Sequence, residues 1–154
     1  MTFLIGIDPD LHKSGVAVWN SELKSWLIHK SIPNEDIIEV LIGICPPESS
    51  KIYLEAGWLN KKSNFRGGNY RVAQAKARNV GENHAAGKML VKMLEKAGYK
   101  VFLVQPLSKG KGLLKTKEGR WTEPGKKYII EKSGIVGAIN DDVRDSIYLV
   151  EWFK

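Results

Sequence analysis

The 154-residue sequence predicts an α/β fold, a five-stranded mixed sheet flanked by helices, with 1–154 forming one domain. Three observations predict it. Short apolar runs rich in β-branched residues recur along the chain as strand candidates. The first three are joined by connections too short for crossovers, so they form an antiparallel meander. The fourth follows a helical segment, so it lies parallel to the first through a βαβ-type crossover.

Leu4-Ile5-Gly6-Ile7-Asp8 reads as a buried strand that delivers one carboxylate at its end, where Pro9 stops it. Leu11 to Gly15 is a turn-like connection, and Gly15-Val16-Ala17-Val18-Trp19 is the second strand. Asn20-Ser21-Glu22 turns the chain into a third strand, Trp26 to His29. Asn34 is an N-cap, with Glu35 and Asp36 in the first turn, of a helix to about Ile44. Its Ile37, Ile38, Leu41 and Ile42 recur at helical spacing and face the sheet, and Pro46-Pro47 ends it.

Lys51-Ile52-Tyr53-Leu54-Glu55 is the fourth strand and again ends on a carboxylate. Parallel to the first, it sets Glu55 beside Asp8, beyond the carboxyl ends of the strands. The bland alternative is a surface Glu. Gly57 to Gly68 reads as a loop in which Trp58 and Phe65 stand among Lys61, Lys62 and Arg66. Such a loop suits base stacking beside phosphate contacts, or simple local packing of its aromatics.

Residues 69 to about 97 form a long helix closed by Gly98 at C′. Ala86, Met89, Leu90, Met93 and Leu94 make its apolar face. Gly81, Ala85, Ala86 and Gly87 permit close approach, either of the sheet or of a second copy. Val101 to Val104 is the fifth strand. Gln105 to Gly125 is a basic surface segment carrying Lys109, Lys111, Lys115, Lys117 and Arg120, ordered in part only on binding. Thr122 caps a helix with Pro124 in its first turn, running to Lys132 and stopping at Gly134. Asn140 caps the last helix, Asp141 to about Phe153, seated on the core by Val143, Ile147 and Val150.

The net charge is +7 and is unevenly spread. Residues 1–60 hold four Lys and Arg against eight Asp and Glu, a net of −4; residues 61–154 hold 20 against nine, a net of +11. An acidic first segment beside a basic remainder suits a carboxylate site framed by a phosphate-binding surface. Cys45 is the only cysteine, which excludes a disulfide framework and a Cys-based zinc site. No apolar run approaches a membrane span, and Asp8 interrupts the first one, so no signal peptide is read there. A cytoplasmic, reduced protein is expected.

Strand-Asp, strand-Glu and helix Asp-x-x-Asp follow in order as Asp8, Glu55, Asp142 and Asp145. Asp142 and Asp145 share one helical face, and Asp141 lies one turn from Asp145, so either of the first two acids can join the group. Three or four oxygen ligands of this kind suit Mg²⁺ or Mn²⁺. Two such ions activate a water and stabilise the leaving oxygen of a phosphodiester.

In these residues the sequence resembles the RuvC-type Holliday-junction resolvases of the ribonuclease H-like superfamily. The match lies in Ile5-Gly6-Ile7-Asp8-Pro9 followed by Ser14-Gly15, in Leu54-Glu55, and in Asp142-Val143-Arg144-Asp145, and it spans nearly the whole chain. Asp10 stands where the family usually has Gly, and Asp141 is an extra acid. The resemblance implies a ribonuclease H-like fold and a Mg²⁺- or Mn²⁺-dependent endonuclease, with Asp8, Glu55, Asp142 and Asp145 as metal-binding and catalytic residues. It further implies that Trp58 enters branched DNA and that the family's basic residues correspond to Lys109 and to Lys126 or Lys127. With Lys61, Lys62, Arg66 and Lys111 these make the expected nucleic-acid surface. The implied partner is a second copy joined through the 69–97 helix, and the implied setting is DNA recombination and repair. So compact a member is in keeping with a bacteriophage protein acting in the host cytoplasm. The alternatives are a nuclease of the same superfamily acting on RNA or flaps, and a junction-binding protein that does not cut.

Overall fold

The computed structural model describes residues 2–60, 70–109 and 112–154. Five strands form one sheet: β1 (Phe3–Asp8), β2 (Lys13–Asn20), β3 (Ser25–Pro33), β4 (Ser50–Glu55) and β5 (Lys100–Val104). Their order across the sheet is β3-β2-β1-β4-β5. β1 pairs antiparallel with β2 and β2 with β3, while β1 pairs parallel with β4 and β4 with β5. The mixed topology is the predicted one. Among the described residues four α-helices complete it: α1 (Ile37–Ile44), α2 (Tyr70–Lys96), α3 (Glu123–Ser133) and α4 (Asp141–Phe153). Among the described residues, no helix is long and apolar enough to cross a membrane.

Alternation along the strands divides the core in two. Ile5 and Ile7 of β1 join Val16, Val18, Ile52 and Leu54 under α1 and α2, with Ile37, Leu41, Leu90 and Leu94 as the helical contribution. On the opposite face, Ala17 and Trp19 meet Val143, Ile147 and Val150 of α4, with Ile129 of α3 behind them. Asp8 follows Gly6 in the alternation, so it belongs to the α4 face.

Two glycines let α4 lie directly on the strands. A Cβ on Gly6 would sit 2.2 Å from the Ser146 carbonyl oxygen, and one on Gly15 would sit 2.2 Å from that of Asp142. In the β1–β2 ladder Gly6 is opposite Ala17 and Gly15 opposite Asp8, two steps along and therefore on the same face of the sheet. Only hydrogen in place of a side chain admits the helix backbone at this depth.

The caps of α3 and α4 form as expected. Thr122 accepts from the Gly125 N–H and Gly134 ends α3 at φ +73°, while Asn140 accepts from the Val143 N–H. Three expectations change. β3 continues past His29 to Pro33, because it is an edge strand whose outward positions His29 and Lys30 remain solvated while the backbone stays paired. Asn34 opens a 3-10 turn, Asn34–Asp36, and caps nothing. Its amide donates to the carbonyls of Asp10 and Leu11 and its oxygen accepts from the Ser14 hydroxyl, which binds the turn after Asp8 to the start of α1. Ile42, Met89 and Met93 are exposed rather than packed on the sheet, since α1 and α2 bury narrower stripes than their sequences offer. Within the segment after β5, the described residues 112–125 fold back on themselves: Lys115 bridges to Trp121, and the Thr122 N–H donates to the Leu114 carbonyl.

Candidate functional site

The carboxylates reach one place by three routes. β1 ends on Asp8, and β4 runs parallel beside it with Gly6 opposite Tyr53 and Ile7 opposite Leu54, so the next step of the register sets Glu55 next to Asp8. The close seat of α4 on Gly15 then holds the first turn of that helix, with Asp142 and Asp145, over the same strand ends. The strong upward shift of Asp8 reports this proximity. Burial pushes its carboxyl well above the ordinary range, and the charges of Glu55, Asp145 and Asp142 add to it, with Lys115 opposing. Glu55 is raised by burial, against the pull of Lys109, and Asp142 is raised by burial and by Asp10 beside it.

Two lysines answer these charges. Lys109 lies 3.3 Å from Asp145 Oδ1 and 3.9 Å from Glu55 Oε2, with its side chain 6% exposed. Lys115 donates to both oxygens of Asp145, at 3.0 and 2.8 Å. Burial alone would lower the Lys115 ammonium, but Asp145 beside it leaves it above the ordinary lysine value. A cleft of about 460 Å³ opens next to Glu55, lined by Lys109, Lys115, Lys117 and Gly112 among others. Among the described residues the carboxylates do not already form a coordination shell; Lys109 stands between Glu55 and Asp145, and Lys115 holds Asp145.

The predicted residues divide accordingly. Asp8, Glu55, Asp142, Asp145 and Lys109 come together. Asp141 turns aside, holding Arg144 and accepting from the Trp121 N–H, which leaves Asp142 as the acid that faces Asp8. Lys126 pairs with Glu123 on exposed α3, and Lys127 is exposed on the same helix, so neither meets the carboxylates. Trp58, in a 3-10 turn over Gly57–Leu59, packs on α2 where Gly87 leaves room, between His84 and Lys88. Gly87 therefore serves packing within the chain, while Gly81 faces open space. Lys61, Lys62, Arg66 and Lys111 lie outside the described residues.

Lys115 is the residue that sequence reading did not single out. It was one lysine in a basic run, and what selects it is a fold-back that no spacing rule announces. Trp121 is a usable signal, because a buried aromatic in a polar run marks where that run is pinned.

No family model matches the sequence, and no curated protein matches it. Solved structures do. T. thermophilus RuvC in complex with a Holliday junction substrate superposes with a TM-score of 0.59 at 16% identity, covering 98% of this chain and 91% of that one. A further Thermus thermophilus RuvC structure matches with a TM-score of 0.56 at 16% identity, covering 97% and 92%. The chain shares the fold of these RuvC structures, a five-stranded mixed sheet flanked by helices.

Proposed function

We propose that this chain is a single-domain, Mg²⁺- or Mn²⁺-dependent endodeoxyribonuclease of the Holliday-junction resolvase type, cutting branched DNA. The observation that carries the reading is the meeting of Asp8, Glu55, Asp142 and Asp145 at the strand ends, with each shifted member pushed upward by burial and repulsion. A donor set of four carboxylates fits hard divalent cations that prefer oxygen. These four residues would hold such ions, which would polarise the phosphate and the attacking water. The RuvC fold supports the same reading, since one of the superposed structures carries a Holliday junction substrate.

The chain's own residues do the remaining work. Lys109 and Lys115 present ammonium groups at the cleft beside Glu55, where a backbone phosphate enters. The basic second part of the chain holds the polyanion, and Trp58, three residues after Glu55 and packed on α2 at Gly87, is the aromatic assigned to the junction. We also propose a homodimer through α2. An apolar cleft of about 310 Å³ lined by Ala86, Met89, Leu90 and Met93 supports it, as do the exposed Met89, Val80 and Val72 on that helix. Two equivalent sites suit the two equivalent strands of a four-way junction.

The test is cleavage of a synthetic four-way junction beside matched duplex, flap and RNA–DNA hybrid, with Mg²⁺, Mn²⁺ or chelator, by wild type and Asp145→Asn. Paired symmetric cuts in the junction, absent with chelator and in the variant, are expected. Cutting confined to flap or hybrid would keep the site and change the substrate. Tight junction binding without cutting would make the chain a binding protein.

A further inference from the structure

We propose that Lys115 couples divalent-ion binding to substrate binding: its ammonium holds Asp145 until a backbone phosphate draws it away, so ion and polyanion each raise the other's affinity. The proposal rests on the nuclease reading above and deepens it.

Lys115 Nζ takes both oxygens of Asp145, at 3.0 and 2.8 Å, and the Asp145 side chain is only 6% exposed. A cation that uses Asp145 as a ligand must displace this ammonium, because two positive charges sharing one buried carboxylate repel strongly. Charge-assisted hydrogen bonds are among the stronger ones, so the displacement opposes ion binding. A phosphate oxygen offers the lysine an equivalent partner, which removes the opposition.

Lys115 rather than Lys109 is built to make the exchange. Lys109 is more buried, lies 5.4 Å over the Tyr148 ring and approaches Glu55 as well as Asp145. Lys115 is 18% exposed in its side chain and lines the open cleft with Lys117. Its backbone, by contrast, is fixed. The preceding carbonyl, that of Leu114, accepts from the N–H and the hydroxyl of Thr122. Gly125 packs so close to that carbonyl that a Cβ would sit 2.1 Å from its oxygen. The exchange would thus move the side chain on a fixed backbone; in the pose that holds Asp145, Nζ lies 5.8 Å from the centre of the Trp121 ring. Coupling of this kind is reciprocal for binding free energies.

The test is calorimetric titration of the full chain with Ca²⁺ as probe ion, with and without saturating four-way junction DNA and with a DNA-only blank. Without DNA, Lys115→Met should bind Ca²⁺ about tenfold more tightly than wild type, equivalent to about 1.4 kcal/mol. Lys115→Arg, which keeps the charge, should bind as weakly as wild type. Lys96→Met, an exposed lysine on α2, should leave affinity unchanged. Junction DNA should tighten Ca²⁺ binding to wild type by a similar factor more than to Lys115→Met. If Asp145→Asn loses Ca²⁺ while Lys115→Met binds no more tightly than wild type, the ion site stands and the coupling is refuted. If no variant binds Ca²⁺ with or without DNA, the coupling and the nuclease reading fall together.

Discussion

Gly15→Ala tests whether the seat of α4 sets the site. The new Cβ would lie 2.2 Å from the Asp142 carbonyl oxygen, 2.4 Å from its carbon and 2.9 Å from the Val143 nitrogen. All three are backbone atoms, so no side chain can rotate out of the way. Ordinary contact begins near 3.4 Å, and the first turn of α4 must retreat by about 1 Å to restore it. That turn carries Asp142 and Asp145, while Asp8 faces Gly15 across the ladder and stays in place. A displacement of about 1 Å between groups that must act together costs about 100-fold in rate. Overpacking of this kind also costs about 1–3 kcal/mol, which lowers the melting temperature by about 2–4 °C per kcal/mol in a chain of this size. The assay is single-turnover junction cleavage alongside thermal melting. Gly43→Ala is the control, because a Cβ there meets nothing within 4 Å. In α1 it should stabilise by about 0.5–1 kcal/mol and leave the rate alone. A Gly15→Ala protein with wild-type rate and melting temperature would refute the reasoning.

Three further outcomes are expected. Asp8, Glu55 and Asp142 titrate above ordinary carboxylates, so this part of folding stability is intact below their unfolded values of about 4 and is lost as pH rises through the raised folded values. Without divalent ions, Asp8→Asn should therefore melt above wild type near neutral pH and converge with it in acid; melting curves across pH check this, and a variant less stable at neutral pH would contradict it. Trp58→Ala removes a ring packed on Gly87 and should cost about 1–3 kcal/mol while weakening junction binding more than duplex binding; equal loss on both substrates would leave Trp58 a packing role alone. Met89→Glu places a charge on the exposed face of α2 and should turn a dimer into a monomer by sedimentation, and a wild type already monomeric at working concentration would remove the dimer.

What the sequence made legible follows from how local each signal is. Asp8 and Glu55 terminate apolar runs, and a strand's end is written in the residues that end it. The parallel register that joins them follows from one helix between two strands. Asn140 and Thr122 act on backbone groups three residues away, so their caps were legible too. Asn34 looked the same and was not, because its amide found the carbonyls of Asp10 and Leu11, more than twenty positions back. Lys115 meets Asp145 across thirty residues through a fold-back held by Thr122 and Gly125, and only the folded chain brings them together. The exposed Met89 and Met93 show the same boundary from the other side. An apolar stripe on a helix states that something covers it, and the chain's own sheet covers only part of it.

Four carboxylates meet two ammonium groups, so the fully ionised site carries two unbalanced negative charges in partly buried surroundings. Protons can relieve that imbalance: burial first, and neighbouring carboxylate charges after it, push Asp8, Glu55 and Asp142 upward. Divalent ions relieve it without protonation. On the proposed reading, two of them balance all four acids and leave Lys109 and Lys115 with no carboxylate to neutralise. The lysines then carry positive charge at the mouth of the cleft beside Glu55, where a phosphodiester has charge to match. On the proposed reading, a site whose lysines differ in burial, Lys109 more buried than Lys115, would balance its acids without ions and attract a phosphate once ions are bound.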